Sequence, residues 1–402
     1  MSFEDWEEVR LGDVLFKIIG GGTPSKNKKD YWNGNIYWCS VKDMIDGKYH
    51  LNKTQDKITK KGLENSASNL ILKNTLIIAT RMGLGRAFIS GSDMAINQDL
   101  KALVPNEKIT MEFLLWTIIL NSSKLENLGT GATVKGIRLE ILRSLKINLP
   151  PLKTQKKIAK ILSNYDDLIE NNLQQIKLLE EKARLTYQEW FLRFRIDGVK
   201  LEIDDESGLP FGWERKKITN IANINEKSIS KKTAPKEIKY IDIASTETGY
   251  FQEPEKILFE NAPSRARRIL RYGDIIFSTV RPNRKTYSLI LDNDNTLIAS
   301  TGFVVLSPIE IINYAFIYLS ISNQKFIDSV VAVATGATYP AINQKDFEKL
   351  KIVIPKKFIL EKFSKLAIPM LELKNNLLNQ NQNLKEARDI LLPRLMTGII
   401  EV

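Results

Sequence analysis

Seven cationic side chains, Arg265, Arg267, Arg268, Arg271, Arg281, Arg284 and Lys285, fall between residues 261 and 285 against a single acid, Asp274. All but the last are arginine, whose planar guanidinium can fork onto phosphate oxygens or onto the O6 and N7 of guanine. Asn283 adds an amide able to read a base edge, and Tyr287 a ring able to stack or to meet a phosphate. An earlier stretch repeats the theme more sparsely. Arg81 and Arg86 flank a glycine turn in TRMGLGR, and Asn97 and Gln98 follow in AINQDL, amides that suit adenine. Lys26, Lys28 and Lys29 come after a Gly-rich loop and suit phosphate contact. The formal net charge of +12 and the pI near 9.4 point the same way, to a polyanion. Nucleic acid is preferred to membrane because no basic amphipathic segment stands apart. The competing reading is a solvated loop with structural arginines.

Catalytic parts are missing. The chain has no HExxH, GxSxG or CxxC, and no Asn/Asp-Pro-Pro-aromatic turn of the kind adenine methyltransferases use. Gly20, Gly21 and Gly22 lack the spacing and the lysine of a phosphate loop. The lone His50 and lone Cys39 read as packing or surface residues, and they leave no histidine pair, disulfide or Cys-rich zinc site. Glu-x-Lys triplets at 180, 214, 237 and 372, and the pair Asp166 and Asp167, are what a chain with 26% charged residues contains by chance. No metal site and no catalytic residue is assigned.

The elements that must carry the basic stretches repeat. WEEVRLGDVLFKI is echoed by WERKKITNIANI, and LKNTLIIATR by LRYGDIIFSTVR. TGATVKGIRLEILRSLKINLP (130–150) and TGATYPAINQKDFEKLKIVIP (335–355) agree at nine of twenty-one positions, and a long helical pattern follows each. The first runs over 150–193 without Gly or Pro beyond its opening residues, with Thr154 as N-cap, and would be roughly 55 to 60 Å long. Its heptad seam holds Leu162, Ile169, Asn172, Ile176 and Leu179; the second, over 356–402, offers Met370, Leu373, Leu377, Gln380 and Leu384. Pro369 marks a break, so the last helix is expected to start there behind a shorter one, and Pro393 to end it. Asn172 and Gln380 would fix register at some loss of stability.

The fold class expected is α+β: two duplicated domains separated by two long antiparallel coiled-coil helices, with pseudo-twofold character. The boundaries are a first domain at 1–149, a helix at 150–193, an acidic turn-rich linker at 194–212, a second domain at 213–355 and a helix at 356–402. At 402 residues each domain can bury its own core. No apolar run reaches the ~18 residues of a membrane span, and MSFEDWEEVR is unlike a signal peptide, so a cytoplasmic protein is expected.

GGTPS with DYWNGNIYWCSVKDM, TGATVKGI leading into INLPPLKTQKKIAKILSNYDDLIENN, and the closing RDILLPRLMTG resemble the specificity subunits of type I restriction-modification enzymes. The resemblance spans the chain; Thr154 stands where the family usually has an acidic residue before Gln155. It implies a non-catalytic DNA-binding subunit in which each domain reads half of a split double-stranded target and the helices set the gap. It also implies partners: two methylation subunits carrying S-adenosylmethionine, and ATP/Mg-dependent restriction subunits combining motor and nuclease, with no cofactor in this chain. A stand-alone two-headed regulator and a coiled-coil scaffold are the alternatives.

Overall fold

The computed structural model describes residues 6–131, 134–230, 232–336 and 338–402. Ala132, Thr133 and Ala337 of the repeated TGAT motif lie outside the described residues, as do Lys231 and residues 1–5 of the acidic N-terminal stretch. The chain forms two compact units, the first comprising residues up to 172 together with 380–402, the second residues 173–379.

In the first unit, one sheet runs in the order Leu15–Gly20, Leu100–Pro105, Leu76–Ala79, Ala87–Ser90, His50–Leu51. The other runs Asp56–Ile58, Trp32–Cys39, Met94–Ile96, Leu70–Ile71. Strand Leu76–Ala79 is apolar throughout because both its faces are covered. Ile77 and Ala79 pack with Phe88, Ile96 and Ala102, while Leu76 and Ile78 join Phe113, Trp116, Ile158 and Leu162.

The second unit repeats this topology. Its sheets run Ala222–Ile224, Phe303–Pro308, Ile275–Ser278, Tyr287–Leu289 and Lys256–Leu258, Glu237–Ile241, Leu297–Ser300, Ala266–Ile269. Even the parallel pairing inside an otherwise antiparallel sheet recurs, Trp32–Cys39 with Met94–Ile96 and Glu237–Ile241 with Leu297–Ser300. Ile275 and Phe277 face one core and Ile276 the other, as the period of two requires.

A two-stranded ribbon leads into each long helix: Glu7–Arg10 with Lys146–Leu149, and Glu214–Lys217 with Lys351–Ile354. The central helix is Leu152–Tyr187, continued by a π turn over Gln188–Leu192 that seats Trp190 and Phe191 against Phe363. Gln155 explains the LPP-x-x-Q motif. Its carbonyl accepts from Thr110 N at 2.9 Å, and its amide donates to the carbonyls of Lys108 and Pro150, both at 2.9 Å. The terminal helix runs unbroken over Lys357–Met396, contrary to the break expected at Pro369 and the end at Pro393. Both prolines are exposed, so the carbonyls they free lie on the solvent side of the helix. Burial of Phe363, Ala367 and Leu371 offsets the ~3 kcal/mol of an interior proline.

Within each unit the two helices are antiparallel. In the first, Asp166 meets Arg388, and the Asn172 amide donates to Gln380 at 2.9 Å and to Asn381 at 2.8 Å. In the second, Glu180 meets Lys374 at 2.6 Å. On the central helix Leu162, Ile169, Asn172 and Ile176 are buried and Leu179 is half-buried. The terminal helix departs from the expected seam. Leu377 is buried and Met370 and Leu384 half-buried, but Leu373 and Gln380 are exposed. The inner row is one residue later, Ala367, Lys374, Asn381, Arg388 and Leu395. Hydrophobic periodicity selects leucines and cannot see a row whose middle members are polar.

Residues 194–212 are also more ordered than a linker. They form two short ribbons, Arg195–Ile196 with Val199–Lys200 and Ile203–Asp204 with Leu209–Pro210, and bury Ile196 and Leu209. The turn formers read as linker signals build these hairpins, with Gly198 at φ 82° and Gly208 at φ 65°.

Candidate nucleic-acid interface

The basic stretch of the second unit divides between two sheets. Residues 279–286 form a turn between strands Ile275–Ser278 and Tyr287–Leu289, and Arg281 and Lys285 there take left-handed φ values of 49° and 57°. The turn is clamped to the repeated motif: Arg281 N donates to the Pro340 carbonyl at 2.7 Å and Ile342 N to that of Thr279 at 2.9 Å. The Arg281 guanidinium lies 4.1 Å over the Tyr339 ring, which is 64% exposed. Asn283 and Arg284 are exposed and Lys285 half-buried. Tyr287 is buried in the core beside Phe277, so its expected stacking role is not available to it.

Arg267 and Arg268 lie on strand Ala266–Ile269 of the other sheet, and Arg265 just before it. Arg265 is exposed, and its carbonyl accepts from Thr301 while Gly302 accepts from Thr279, so one turn ties this region to the basic turn. Arg267 lies 5.5 Å over Phe259 and keeps part of its surface free. Arg268 is half-buried, donating to Ser228 at 3.3 Å, and burial lowers the affinity of its guanidinium for its proton. Arg271 is paired with Glu226 and Asp274, a structural use.

The first unit hangs the same turn in the same place. Ile137 N donates to the Thr80 carbonyl at 2.9 Å and Met82 N to that of Lys135 at 3.4 Å. Arg81 and Arg86 are exposed. Arg81 lies 3.6 Å from Asp99, and Arg86 holds Asp46 through Nε at 2.8 Å and Nη2 at 2.9 Å. Asn97 corrects the sequence reading. It is buried, its amide donates to Asp99 at 3.1 Å, and its carbonyl accepts from Asp99 N, so it shapes the turn and cannot read a base. Gln98 is exposed and accepts from Thr23 at 2.6 Å. Lys26, Lys28 and Lys29 are exposed, with Lys28 donating to Tyr31 Oη at 3.1 Å.

Tyr339 and Lys135 lie in the repeated motif, whose sequence signal is its repetition and its family resemblance and not a cluster of contact residues. The motif forms the other wall of each basic turn. His50 is exposed, and Cys39 is buried, its thiol pushed up by burial. Among the described residues no group of three or more His, Cys, Asp or Glu is arranged to hold a metal ion. The Glu-x-Lys residues have other partners: Glu372 accepts from Tyr272 at 2.6 Å, and Lys239 pairs with Glu253 at 3.0 Å.

Two copies of one α+β unit, each with a basic turn walled by the same motif and each bracing an antiparallel helix pair, define the class of duplicated DNA-specificity proteins. The family described as type I restriction modification DNA specificity domain matches twice, over residues 3–181 and 210–382, and the chain belongs to it. It is 27% identical over 430 residues to the MjaIX type I restriction enzyme specificity subunit of Methanocaldococcus jannaschii, covering 99% of this chain and 94% of that one. It is 33% identical over 180 residues to the EcoR124I/EcoR124II specificity subunit of Escherichia coli, 42% of this chain and 43% of that one. The crystal structure of the S subunit of a type I restriction-modification system from M. genitalium has the same fold, with a TM-score of 0.64 at 16% identity over 97% of this chain and 96% of that one. The chain is therefore a DNA specificity component and not a catalytic one, and the regulator and scaffold readings are set aside.

Proposed function

We propose that this chain gives a type I restriction-modification assembly its DNA target by reading a split double-stranded site, each unit taking one half and the helix pair setting the gap. The observation that carries this reading is the recurrence of one basic turn, against one motif, in both units. Arg81, Arg86 and Gln98 in the first unit, and Arg265, Arg267, Arg281, Asn283, Arg284 and Lys285 in the second, are the proposed base and phosphate contacts. Lys26, Lys28 and Lys29 supply further phosphate contacts.

Two methylation subunits dock on the helices and neighbouring surfaces, and the exposed Leu178 and Leu185, seven residues apart on one face of the central helix, support an apolar contact there. Those subunits bring S-adenosylmethionine, and restriction subunits bring ATP and Mg. The assembly works in the cytoplasm; no described helix is long and apolar enough to cross a membrane.

The test is copurification with a candidate methylation subunit, followed by mapping of methyladenine on genomic DNA. A two-part motif with a fixed gap is expected. Specific binding by the chain alone, with no association and no methylation, would instead favour a stand-alone regulator.

A further inference from the structure

Lys374 of the terminal helix has a side chain only 9% exposed, although Glu180, its ion-pair partner at 2.6 Å, is 48% exposed. A lysine bound only to a half-exposed carboxylate would carry its ammonium out to water. This one instead donates to the Gly249 carbonyl at 3.1 Å. Gly249 has φ 75°, a conformation side chains rarely adopt, and a Cβ there would crowd Tyr318 Oη at 2.9 Å and Lys374 Nζ at 3.3 Å. The connection continues from this glycine. Gly249 N donates to the Tyr287 carbonyl at 2.7 Å, and the Thr248 hydroxyl to the Lys285 carbonyl at 2.8 Å. Those carbonyls are the exit of the basic turn, so short polar links join the helix to it.

The first unit has its own version. Arg388, 4% exposed, is paired with Asp166 at 2.6 Å and lies 5.1 Å over the Tyr49 ring. Tyr49 sits just before strand His50–Leu51, which pairs in parallel with Ala87–Ser90 as Thr248 does with Tyr287. Asp46 of that segment grips Arg86 of the basic turn. In both units a buried cation of the terminal helix holds the segment that holds the turn.

We infer that Lys374 and Arg388 are positioning residues for base recognition, each fixing the aim of its own unit's basic turn through the crossing segment at 246–251 or 44–51. The helix pair then directs the turns as well as carrying them. This rests on the reading that the turns contact DNA.

The test uses the full chain copurified with its methylation subunit and a pool of duplexes of randomised sequence, with the bound fraction sequenced. The unsubstituted chain is expected to enrich a two-part motif; enrichment of none would overturn the functional reading and this inference with it. K374M is expected to lower base preference in one half about tenfold, the size of a lost bidentate base contact, and to spare the other half. K374R, which keeps donors at that place, restores it, and D46N relaxes the opposite half. T248V cuts the link without touching the helices and relaxes the same half as K374M. If K374M loses both halves with its cooperative melt, T248V decides. Full retention of both halves in T248V would overturn the inference, as would equal loss of both halves in a T248V chain that melts normally.

Discussion

Arg388 donates from its guanidinium to Asp166 at 2.6 Å across the two helices of the first unit, with the arginine side chain 4% exposed and the aspartate 16%. Removing one member of a buried pair costs far more than replacing both by apolar groups. R388M leaves the Asp166 carboxyl buried without its cation and is expected to destabilise the first unit by about 3 kcal/mol, the low end for a broken buried pair because that carboxyl can take up a proton, whereas pairing it with D166L recovers most of the loss. Denaturant unfolding of the single and double variants checks this.

Burial pushes the Asp166 carboxyl up to about 6 from an ordinary 3.8, against the pull of Arg388. Between those values the folded chain keeps a proton that the unfolded chain has released. The stability from this group is therefore complete below about pH 4 and is lost as pH rises through 6. The stability of the parent chain relative to D166N should fall by no more than about 3 kcal/mol from pH 4 to pH 7. A flat difference across that range would show that Arg388 outweighs burial.

Arg284 and Asn97 should behave oppositely. R284A removes an exposed cation, so the slope of log affinity against log salt falls by about 0.9 with little change in melting. N97A takes a buried amide from Asp99 and lowers stability by about 1–3 kcal/mol, leaving the salt slope unchanged. Binding titrations at several salt concentrations, with thermal melts, separate the two.

Lengthening both helices by one heptad in register adds about 10 Å to each, close to three base pairs. The methylated motif should keep both halves and gain a wider gap. An unchanged gap would count against the helix pair as the spacer.

The duplication and the two long helices were legible because repeated apolar strands and heptads are periodic signals. The inner row of the terminal helix was not, since Lys374, Asn381 and Arg388 occupy it and the neighbouring Leu366 and Leu373, which look like a seam, face water. Pro369 misled for a related reason: propensity sees a broken ladder but not the side that faces solvent. Asn97 and Tyr287 carry suitable chemistry and are buried, and only packing decides that. Tyr339 is exposed and stacked on Arg281, yet it stood inside a motif already accounted for.

The first unit takes its core partly from Leu392, Leu395 and Met396, whereas the second is one uninterrupted stretch, 173–379. Order of synthesis and order of completion are therefore reversed. As the chain leaves the ribosome the later-coded unit can close while the earlier-coded one still lacks a wall, and a nascent chain stopped near residue 380 would present an incomplete first core to chaperones and proteases.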